Sequence, residues 1–196
     1  MKPLTPASPH VIIMVGIPGA GKSAFAEKFA DTFQTPILNR TKLQKELQLD
    51  TEQADNLVDT ILKEFMKTNR TIVLEGGFDD KKHRAELIKY FTKLGYRPLV
   101  VWVQTDTIEA RRRATKAYPQ GSGLTSDEFD DVVKQFQAPV ISERAIVISG
   151  KHTYTTQLKI VLKQIATNTQ QKPTGTAIAG HGTVQPQPRG RGVIIR

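Results

Sequence analysis

Residues 16–23, Gly-Ile-Pro-Gly-Ala-Gly-Lys-Ser, combine residue types that bind a polyphosphate at the spacing this chemistry needs. Glycines let a loop bring several backbone N–H groups close to phosphate oxygens, because no Cβ stands in the way. We call residues 16–23 the phosphate loop. Its predicted nucleotide-binding residues are Gly16, Pro18, Gly19, Ala20, Gly21, Lys22 and Ser23.

Lys22 and Ser23 add a charge and a hydroxyl to the loop. The Lys22 ammonium is predicted to act catalytically between the β- and γ-phosphates, and the Ser23 hydroxyl is a hard ligand of the kind Mg²⁺ prefers. The context fits, because an apolar run of strand length, residues 11–15, precedes the loop and a helical stripe follows it. We therefore expect a nucleoside triphosphate to bind here with Mg²⁺.

Glu75 is the acid that directly follows the apolar run 71–74, a predicted neighbouring strand. Phosphoryl transfer needs a carboxylate near the metal, so Glu75 is predicted to organise Mg²⁺ together with Ser23 and to be catalytic. Gly76 and Gly77 would keep the backbone open beside it for a substrate. The alternative is a solvated charge at a strand end.

Arg111, Arg112 and Arg113, with Lys116, precede a loop rich in proline and glycine. Arginine can neutralise the charge that develops on a transferring phosphoryl group, and a closing lid can deliver it. We predict that Arg113 is catalytic and that Arg111 and Arg112 bind the nucleotide. A solvated helix face is the alternative.

Apolar runs alternate with helical stripes along the chain, which predicts a parallel sheet covered by helices on both faces. A capping box at Thr125 and Glu128 opens one of the helices. The predicted organisation is an N-terminal extension over 1–10, one domain over 11–166 and a disordered basic tail, rich in Gly, Pro and Gln, over 167–196. The predicted strands are 11–15, 36–38, 71–74, 99–103 and 145–148, and the main helices are 23–33, 41–49, 51–66, 80–94, 107–117 and 155–165.

Composition narrows the class of protein further. The 196 residues contain 28 Lys and Arg against 19 Asp and Glu, a net charge of +9, which suits a polyanionic partner but would also serve solubility. Zero cysteines exclude a disulfide scaffold, a thiolate metal site and a cysteine nucleophile, and fit a cytoplasmic protein. The longest apolar stretches, 11–17 and 99–103, are much shorter than the roughly 20 residues of a membrane span, so no membrane partner is expected. Oligomeric state is not defined by these features.

Four segments together resemble the P-loop kinases of the bacteriophage-type polynucleotide 5′-kinase and its AAA_33-like relatives. They are the phosphate loop, Leu-Asn-Arg at 38–40, Leu-Glu-Gly-Gly at 74–77 with the later Arg84, and residues 111–119. The resemblance implies a three-layer P-loop NTPase fold with a five-stranded parallel sheet in the order 2-3-1-4-5 and a basic lid. It also implies ATP with Mg²⁺ and transfer of the γ-phosphoryl group to a hydroxyl, on a nucleic-acid 5′ end, a nucleotide or a small metabolite.

The chain departs from this family at one catalytic position. The family carries an aspartate, its general base, after the Asn-Arg pair and an arginine three residues later, where this chain has Thr41 and Gln44. Either Glu75 or one of Asp79 and Asp80 acts instead, or the protein is a nucleotide-binding regulatory module with weak or no kinase activity. A nucleic-acid-binding protein that uses ATP structurally is a third hypothesis. Trp102 is predicted to be a core residue rather than a platform for adenine.

Overall fold

Five parallel strands form the centre of the molecule, in a computed structural model that describes residues 9–116 and 123–170. Their order in the sheet is β2-β3-β1-β4-β5, which confirms the predicted fold. The strands are β1 (His10–Val15), β2 (Ile37–Asn39), β3 (Ile72–Glu75), β4 (Arg97–Gln104) and β5 (Ile146–Ser149). The helices are α1 (Lys22–Phe33), α2 (Arg40–Glu46), α3 (Thr51–Lys67), α4 (Lys81–Lys93), α5 (Thr107–Lys116), α6 (Ser126–Gln135) and α7 (Tyr154–Gln170), with a 3₁₀ turn at Ile141–Glu143.

Strand β1 is buried along its whole length because helices cover both faces of the sheet. Ile12 and Met14 face a layer built from α1 and α7, while Val11, Ile13 and Val15 face a layer built from α3 and α4. Each such side chain stabilises the fold by about 1.5–3 kcal/mol relative to leaving it exposed. The continuous apolar run in the sequence therefore reflects two-sided burial.

The strand order decides what lies next to the phosphate loop. Parallel strands end at the same edge of the sheet, and β1 pairs with β3 on one side and with β4 on the other. On the β3 side, Asn39 of β2 and Glu75 of β3 are register partners. The loop that follows β1 therefore lies beside the ends of β3 and β4.

Several element boundaries differ from the predicted ones. Strand β1 begins at His10, inside the predicted extension, and α7 continues to Gln170, past the predicted domain end at 166. Glu75 is the last residue of β3 rather than the first residue after it. Helix α2 stops at Glu46, because the chain turns at Gln48, which has the left-handed φ of 53°.

The capping box at Thr125 is present as predicted, since the Glu128 N–H donates to the Thr125 hydroxyl and the Thr125 N–H donates to the Glu128 carboxylate. Most of the predicted proline- and glycine-rich loop, at 117–122, and the tail from 171 onward lie outside the described residues. Within the described ranges, no helix has both the length and the apolar character that crossing a bilayer requires.

Candidate active site

The phosphate loop needs glycine for two reasons at Gly16 and Gly19. Their φ values are 145° and 73°, in the region that favours glycine. A Cβ at Gly16 would lie 2.5 Å from the carbonyl oxygen of Val103, and one at Gly19 would collide with the carbonyl oxygen of Ala110 in α5. The loop thus packs closely against the end of β4 and against α5.

Helix α1 presents an uncapped N-terminus at this loop. Gly21 precedes the helix with φ 107° and offers no side chain to cap it, and the first turn contains no acidic residue. The N–H groups and the positive end of the helix dipole therefore remain available to an anion. This is the arrangement that the phosphate-loop pattern predicts.

Lys22 folds its side chain back over the loop. Its Nζ donates to the carbonyl oxygen of Gly16 at 2.6 Å and to that of Ile17 at 3.1 Å. Burial lowers the pKa of Lys22, while the negative charges of Asp79 and Glu75 oppose this effect. The loop therefore holds one ammonium group in a partly desolvated position, where its attraction to phosphate is weakly screened.

Ser23 and Glu75 meet across 52 residues of sequence. The Ser23 hydroxyl donates to Glu75 Oε1 at 2.5 Å, and Asn39 Nδ2 donates to Glu75 Oε2 at 2.9 Å. Burial raises the pKa of Glu75, and the Ser23 hydrogen bond, the Lys22 charge and the Asn39 hydrogen bond act in the opposite direction. The structure thus brings together the two residues that the sequence predicts as metal ligands.

This pair fits Mg²⁺ on the chemistry of its donors. Mg²⁺ is usually bound through one or two carboxylates together with substrate phosphates and water. Across residues 9–116 and 123–170, no cluster of three or more His, Cys, Asp or Glu residues could hold a metal by itself. One carboxylate and one hydroxyl beside a phosphate loop match the partial coordination that Mg²⁺ takes from protein.

Thr41 is the residue at which the sequence departs from the kinases it resembles. It lies in the first turn of α2 and packs on the β3–α4 loop, where a Cβ at Gly76 would fall 2.6 Å from the Thr41 hydroxyl. The neighbouring Arg40 is held by Asp55 and by Gln44, whose Oε1 accepts at 3.1 Å. The departure seen in the sequence therefore lies against the backbone that directly follows Glu75.

The three predicted lid arginines have different surroundings. Arg111 pairs with Asp130 of α6 and lies over the Phe129 ring, 5.2 Å from its centroid. Arg112 binds Glu109 in solvent, with its Nη2 donating at 2.6 Å. The geometry therefore separates Arg111 and Arg112 from the loop that follows β5.

Arg113 is the member of the triplet that reaches this loop. Its Nε donates to Glu109 at 2.8 Å and its Nη1 donates to the carbonyl oxygen of Gly150 at 3.1 Å. Hydrogen bonds from Arg112 and Arg113 lower the pKa of Glu109 to about 2. Arg113 thus connects α5 to the segment between β5 and α7.

A buried ion pair supports the β3–α4 loop, and sequence reasoning missed it. Arg84 of α4 donates to both carboxylate oxygens of Glu143, at 2.6 and 3.1 Å, and to the carbonyl oxygen of Phe78 at 2.9 Å. The two side chains are 0% and 5% exposed. Burial acts to raise the pKa of Glu143, but hydrogen bonds from Arg84 and Val140 outweigh it, so the pKa is lowered. The only signal for Arg84 was its place in the family resemblance, and nothing marked Glu143.

A cavity of about 460 Å³ opens at the ends of β4 and β5, beside the phosphate loop. Trp102 is partly buried, packs on the core layer that contains Phe91 and also faces this cavity. The prediction that Trp102 is a core residue is therefore incomplete. The cavity is lined by Ile17, Trp102, Val103, Gln104, Thr105, Asp106, Phe136, Ser149 and Lys151.

Three solved structures share this fold with the chain at low sequence identity. A gluconokinase from Sinorhizobium meliloti superposes with a TM-score of 0.61 at 14% identity, over 82% of this chain and 94% of the other. A sugar kinase from Janibacter gives 0.57 at 16%, over 83% and 98%. The Mycobacterium tuberculosis APS kinase, in complex with AMPPNP and APS, gives 0.57 at 15%, over 81% and 98%.

A comparison with models of protein families assigns the chain to a family. No curated protein matches the chain. The family model AAA_33, described as an AAA domain, matches residues 11–139, which include the phosphate loop, Glu75 and α5. With the phosphate loop, the strand order and a match over more than half of its length, the chain belongs to the AAA_33 family and has the fold of the P-loop kinases.

Proposed function

We propose that the protein is an ATP-dependent kinase that moves the γ-phosphoryl group of ATP to a hydroxyl acceptor. The observation that carries this proposal is the hydrogen bond between Ser23 and Glu75 at the edge of the phosphate loop. Binding of phosphate alone would need only the loop and Lys22. A carboxylate held against the loop hydroxyl adds the second ligand that a catalytic Mg²⁺ requires.

Under this proposal, each residue of the phosphate half, by which we mean the phosphate loop together with Glu75, has a defined task. The N–H groups of Gly19 and Gly21 bind phosphate oxygens, and the Ala20 N–H joins them by leaving the carbonyl oxygen of Ile17, to which it donates at 3.2 Å. Lys22 leaves its two carbonyl partners to contact the β- and γ-phosphates. Ser23 and Glu75 hold Mg²⁺. When bound, Mg²⁺ neutralises phosphate charge and orients the triphosphate for in-line transfer.

Arg113 supplies the remaining positive charge. It starts from a position between Glu109 and Gly150, so it must leave Glu109 to reach a transferring phosphoryl group. Glu109 stays neutralised during this change because Arg112 also donates to it. Arg111, held by Asp130, contributes to the joint between α5 and α6 rather than to the phosphate in this arrangement.

The acceptor belongs to one of three classes: a nucleic-acid 5′ end, a nucleotide or a small metabolite. The names of the similar structures, a gluconokinase and an APS kinase, favour a small molecule. The net charge of +9 favours a nucleic acid. The pairing of Arg111, Arg112 and Arg113 with acidic side chains weakens the second argument, because it leaves less uncompensated charge on α5.

A second candidate function is a nucleotide-binding regulatory module without efficient catalysis. Thr41 favours it, because a threonine hydroxyl cannot accept a proton at neutral pH as an aspartate does. Such a module would bind ATP with Mg²⁺ through the same loop but would transfer the phosphoryl group weakly or not at all.

A single-turnover assay with γ-³²P-labelled ATP separates the two functions. The acceptor panel contains a 5′-hydroxyl oligodeoxynucleotide, the common nucleosides and gluconate. Transfer by the intact chain that falls by about 10²–10³-fold in Lys22→Ala supports the kinase. Lys28→Ala, on the exposed face of the same helix, is the matched control. Binding of ATP without transfer to any member of the panel supports the module.

A further inference from the structure

The proposed kinase needs a group that accepts the proton of the acceptor hydroxyl, and its family's usual aspartate is absent. Three acids lie on the segment that leaves the sheet edge beside the phosphate loop: Glu75, Asp79 and Asp80. Their surroundings differ in how far each carboxylate is already occupied. The hydrogen bonds that each carboxylate already accepts therefore indicate which of the three is available to act as the base.

Glu75 is fully engaged. One carboxylate oxygen accepts from Ser23 of α1 and the other from Asn39 of β2, so both oxygens already have a donor. The proposed function also uses Glu75 as a ligand of Mg²⁺, and a carboxylate bound to a divalent cation is a poor proton acceptor.

Asp80 is engaged as a helix cap. It precedes α4, and its Oδ1 accepts from the backbone N–H of His83 at 2.7 Å. Such a cap is worth about 0.5–2 kcal/mol to the helix, and protonation would weaken it. Asp80 is also exposed, so nothing directs it toward the phosphate loop.

Asp79 differs from both. Within residues 9–116 and 123–170, no group donates a hydrogen bond to its carboxylate, and the charges that act on it are those of Lys22 and Arg84. The carboxylate is partly buried and is influenced by the charge of Lys22, the ammonium group that the proposed function assigns to the β- and γ-phosphates. It is the acid on this segment with both oxygens available.

The backbone around Asp79 is fixed from two sides. The carbonyl oxygen of Asp79 accepts from the Gln137 N–H at 3.0 Å, and the preceding carbonyl, that of Phe78, accepts from Arg84 at 2.9 Å. Gln137 also accepts from the Lys81 N–H through its side chain, at 3.1 Å. A carboxylate on such an anchored loop loses little conformational freedom when it binds a substrate.

We propose that Asp79 is the catalytic base of the phosphoryl transfer, an assignment that rests on the proposed kinase function. As the acceptor oxygen forms its bond to the γ-phosphorus, the acceptor O–H bond breaks and its proton passes to Asp79. The bond between the γ-phosphorus and the bridging oxygen breaks at the same time, and ADP leaves with that electron pair. Asp79 then releases the proton to water, which completes the balance.

The charges that face Asp79 suit this role. Burial raises the pKa of Asp79, whereas Lys22 on α1 and Arg84 on α4 lower it. Glu143 already neutralises Arg84, and a bound triphosphate neutralises Lys22. The proton affinity of Asp79 therefore increases when the nucleotide is in place. Transfer should be lost as the pH falls through the pKa of Asp79, where the carboxylate becomes protonated.

Asp79→Asn tests the assignment, with Asp80→Asn as its matched control. Asn keeps the size of the side chain and, at position 80, keeps the helix cap. We expect Asp79→Asn to lower single-turnover transfer from γ-³²P-labelled ATP by about 10²–10⁴-fold. The dissociation constant for ATP with Mg²⁺ and the far-UV circular dichroism should stay unchanged, and Asp80→Asn should transfer within about threefold of the unaltered chain.

The pH profile gives a second readout. In the unaltered chain, log transfer rate should fall with unit slope below the pKa of Asp79, and this limb should be absent in Asp79→Asn. Asp79→Ser serves as a further base-free variant if the amide perturbs folding. Asp79→Glu should recover part of the rate, because it restores a carboxylate.

Two outcomes overturn the assignment, and they are distinguishable. Transfer by Asp79→Asn within about fivefold of the unaltered chain would show that Asp79 is not the base, while the kinase function stands. Failure of the unaltered chain to phosphorylate any member of the panel would overturn the kinase function and, with it, a base at Asp79. The second result is visible without any substitution.

Discussion

The two halves of the sheet edge around β1 differ in how their chemistry is supplied. The phosphate half uses backbone N–H groups, glycine dihedral angles and one hydrogen-bonded pair, Ser23 and Glu75. The proposed acceptor half, which comprises Thr41 and the β3–α4 loop with Asp79, depends on side chains, and Thr41 stands where the kinases that the sequence resembles carry an aspartate. Backbone geometry ties the first set of residues to fixed positions in the sequence.

The residues of the acceptor half are less restricted in their position in the sequence. Several loops end at the same edge of a parallel sheet, so a carboxylate from another loop can reach the same space. Asp79 is such a carboxylate, since its loop leaves β3 next to the phosphate loop. The absence of a family residue from the acceptor half is therefore weaker evidence that catalysis has been lost than the absence of a glycine from the phosphate half would be.

Removal of the buried ion pair between Arg84 and Glu143 should have the largest effect on stability. It should destabilise the β3–α4 loop, which belongs to the acceptor half. Arg84→Ala leaves Glu143 buried without its partner, which should lower the free energy of unfolding by about 3–5 kcal/mol in urea denaturation. Lys82→Ala, at an exposed position of the same helix, should change it by less than about 0.5 kcal/mol. A loss below about 1 kcal/mol for Arg84→Ala would contradict a supporting role for this pair.

The second prediction concerns the glycine geometry of the phosphate half. Gly19 and Gly95 have similar φ values, 73° and 81°, but only Gly19 meets a backbone atom where a Cβ would stand. Gly95→Ala should therefore cost about 1–2 kcal/mol of stability for the left-handed conformation alone. Gly19→Ala should cost more and should also weaken ATP binding, as measured by thermal denaturation and calorimetry. Equal losses of stability in the two variants would show that the close approach to α5 is not what requires glycine at position 19.

The third prediction separates two neighbouring arginines. Arg113→Ala should lower the rate of transfer by about 10²-fold, because it removes a positive charge from the transferring group. Arg112→Ala removes an exposed pair with Glu109 and should lower it by less than about threefold. Single-turnover rates at saturating ATP make the comparison. Similar losses for the two variants would favour a general electrostatic effect of α5.

The smallest effect is expected at the position of the missing aspartate. With Asp79 as the base, Thr41→Asp adds a carboxylate that the reaction does not need, so transfer should change by less than about tenfold. The single-turnover assay measures this change. A gain of about 10²–10⁴-fold would instead show that the chain lacks a working base and would support the regulatory module.

Much of this site was predictable, because its determinants are local in sequence. Alternating apolar runs and helical stripes predicted the sheet, and the phosphate-loop spacing predicted a loop between a strand and a helix with an uncapped N-terminus. Glu75 was predictable from its place at a strand end, since the strand order brings β3 next to β1. Each of these inferences needs only a short window of sequence and a general rule.

The rest depended on contacts between distant segments. Arg84 and Glu143 are 59 residues apart, and no periodicity connects them. The pairing of Arg111 with Asp130 depends on how α5 packs against α6, which the charge run alone does not encode. The proposed choice of Asp79 over Asp80 depends on one loop, in which the Asp80 side chain caps α4 while no group among the described residues donates to the Asp79 carboxylate.

Calorimetric titration with ATP tests the central claim most directly, because every role described above requires the triphosphate to bind the phosphate loop. With Mg²⁺ present, the intact chain should bind ATP with a dissociation constant between about 1 μM and 1 mM, the usual range for an enzyme and its substrate. Lys22→Ala should weaken this binding, while Lys28→Ala should not. No measurable binding of ATP or GTP by the folded, intact chain would contradict the claim.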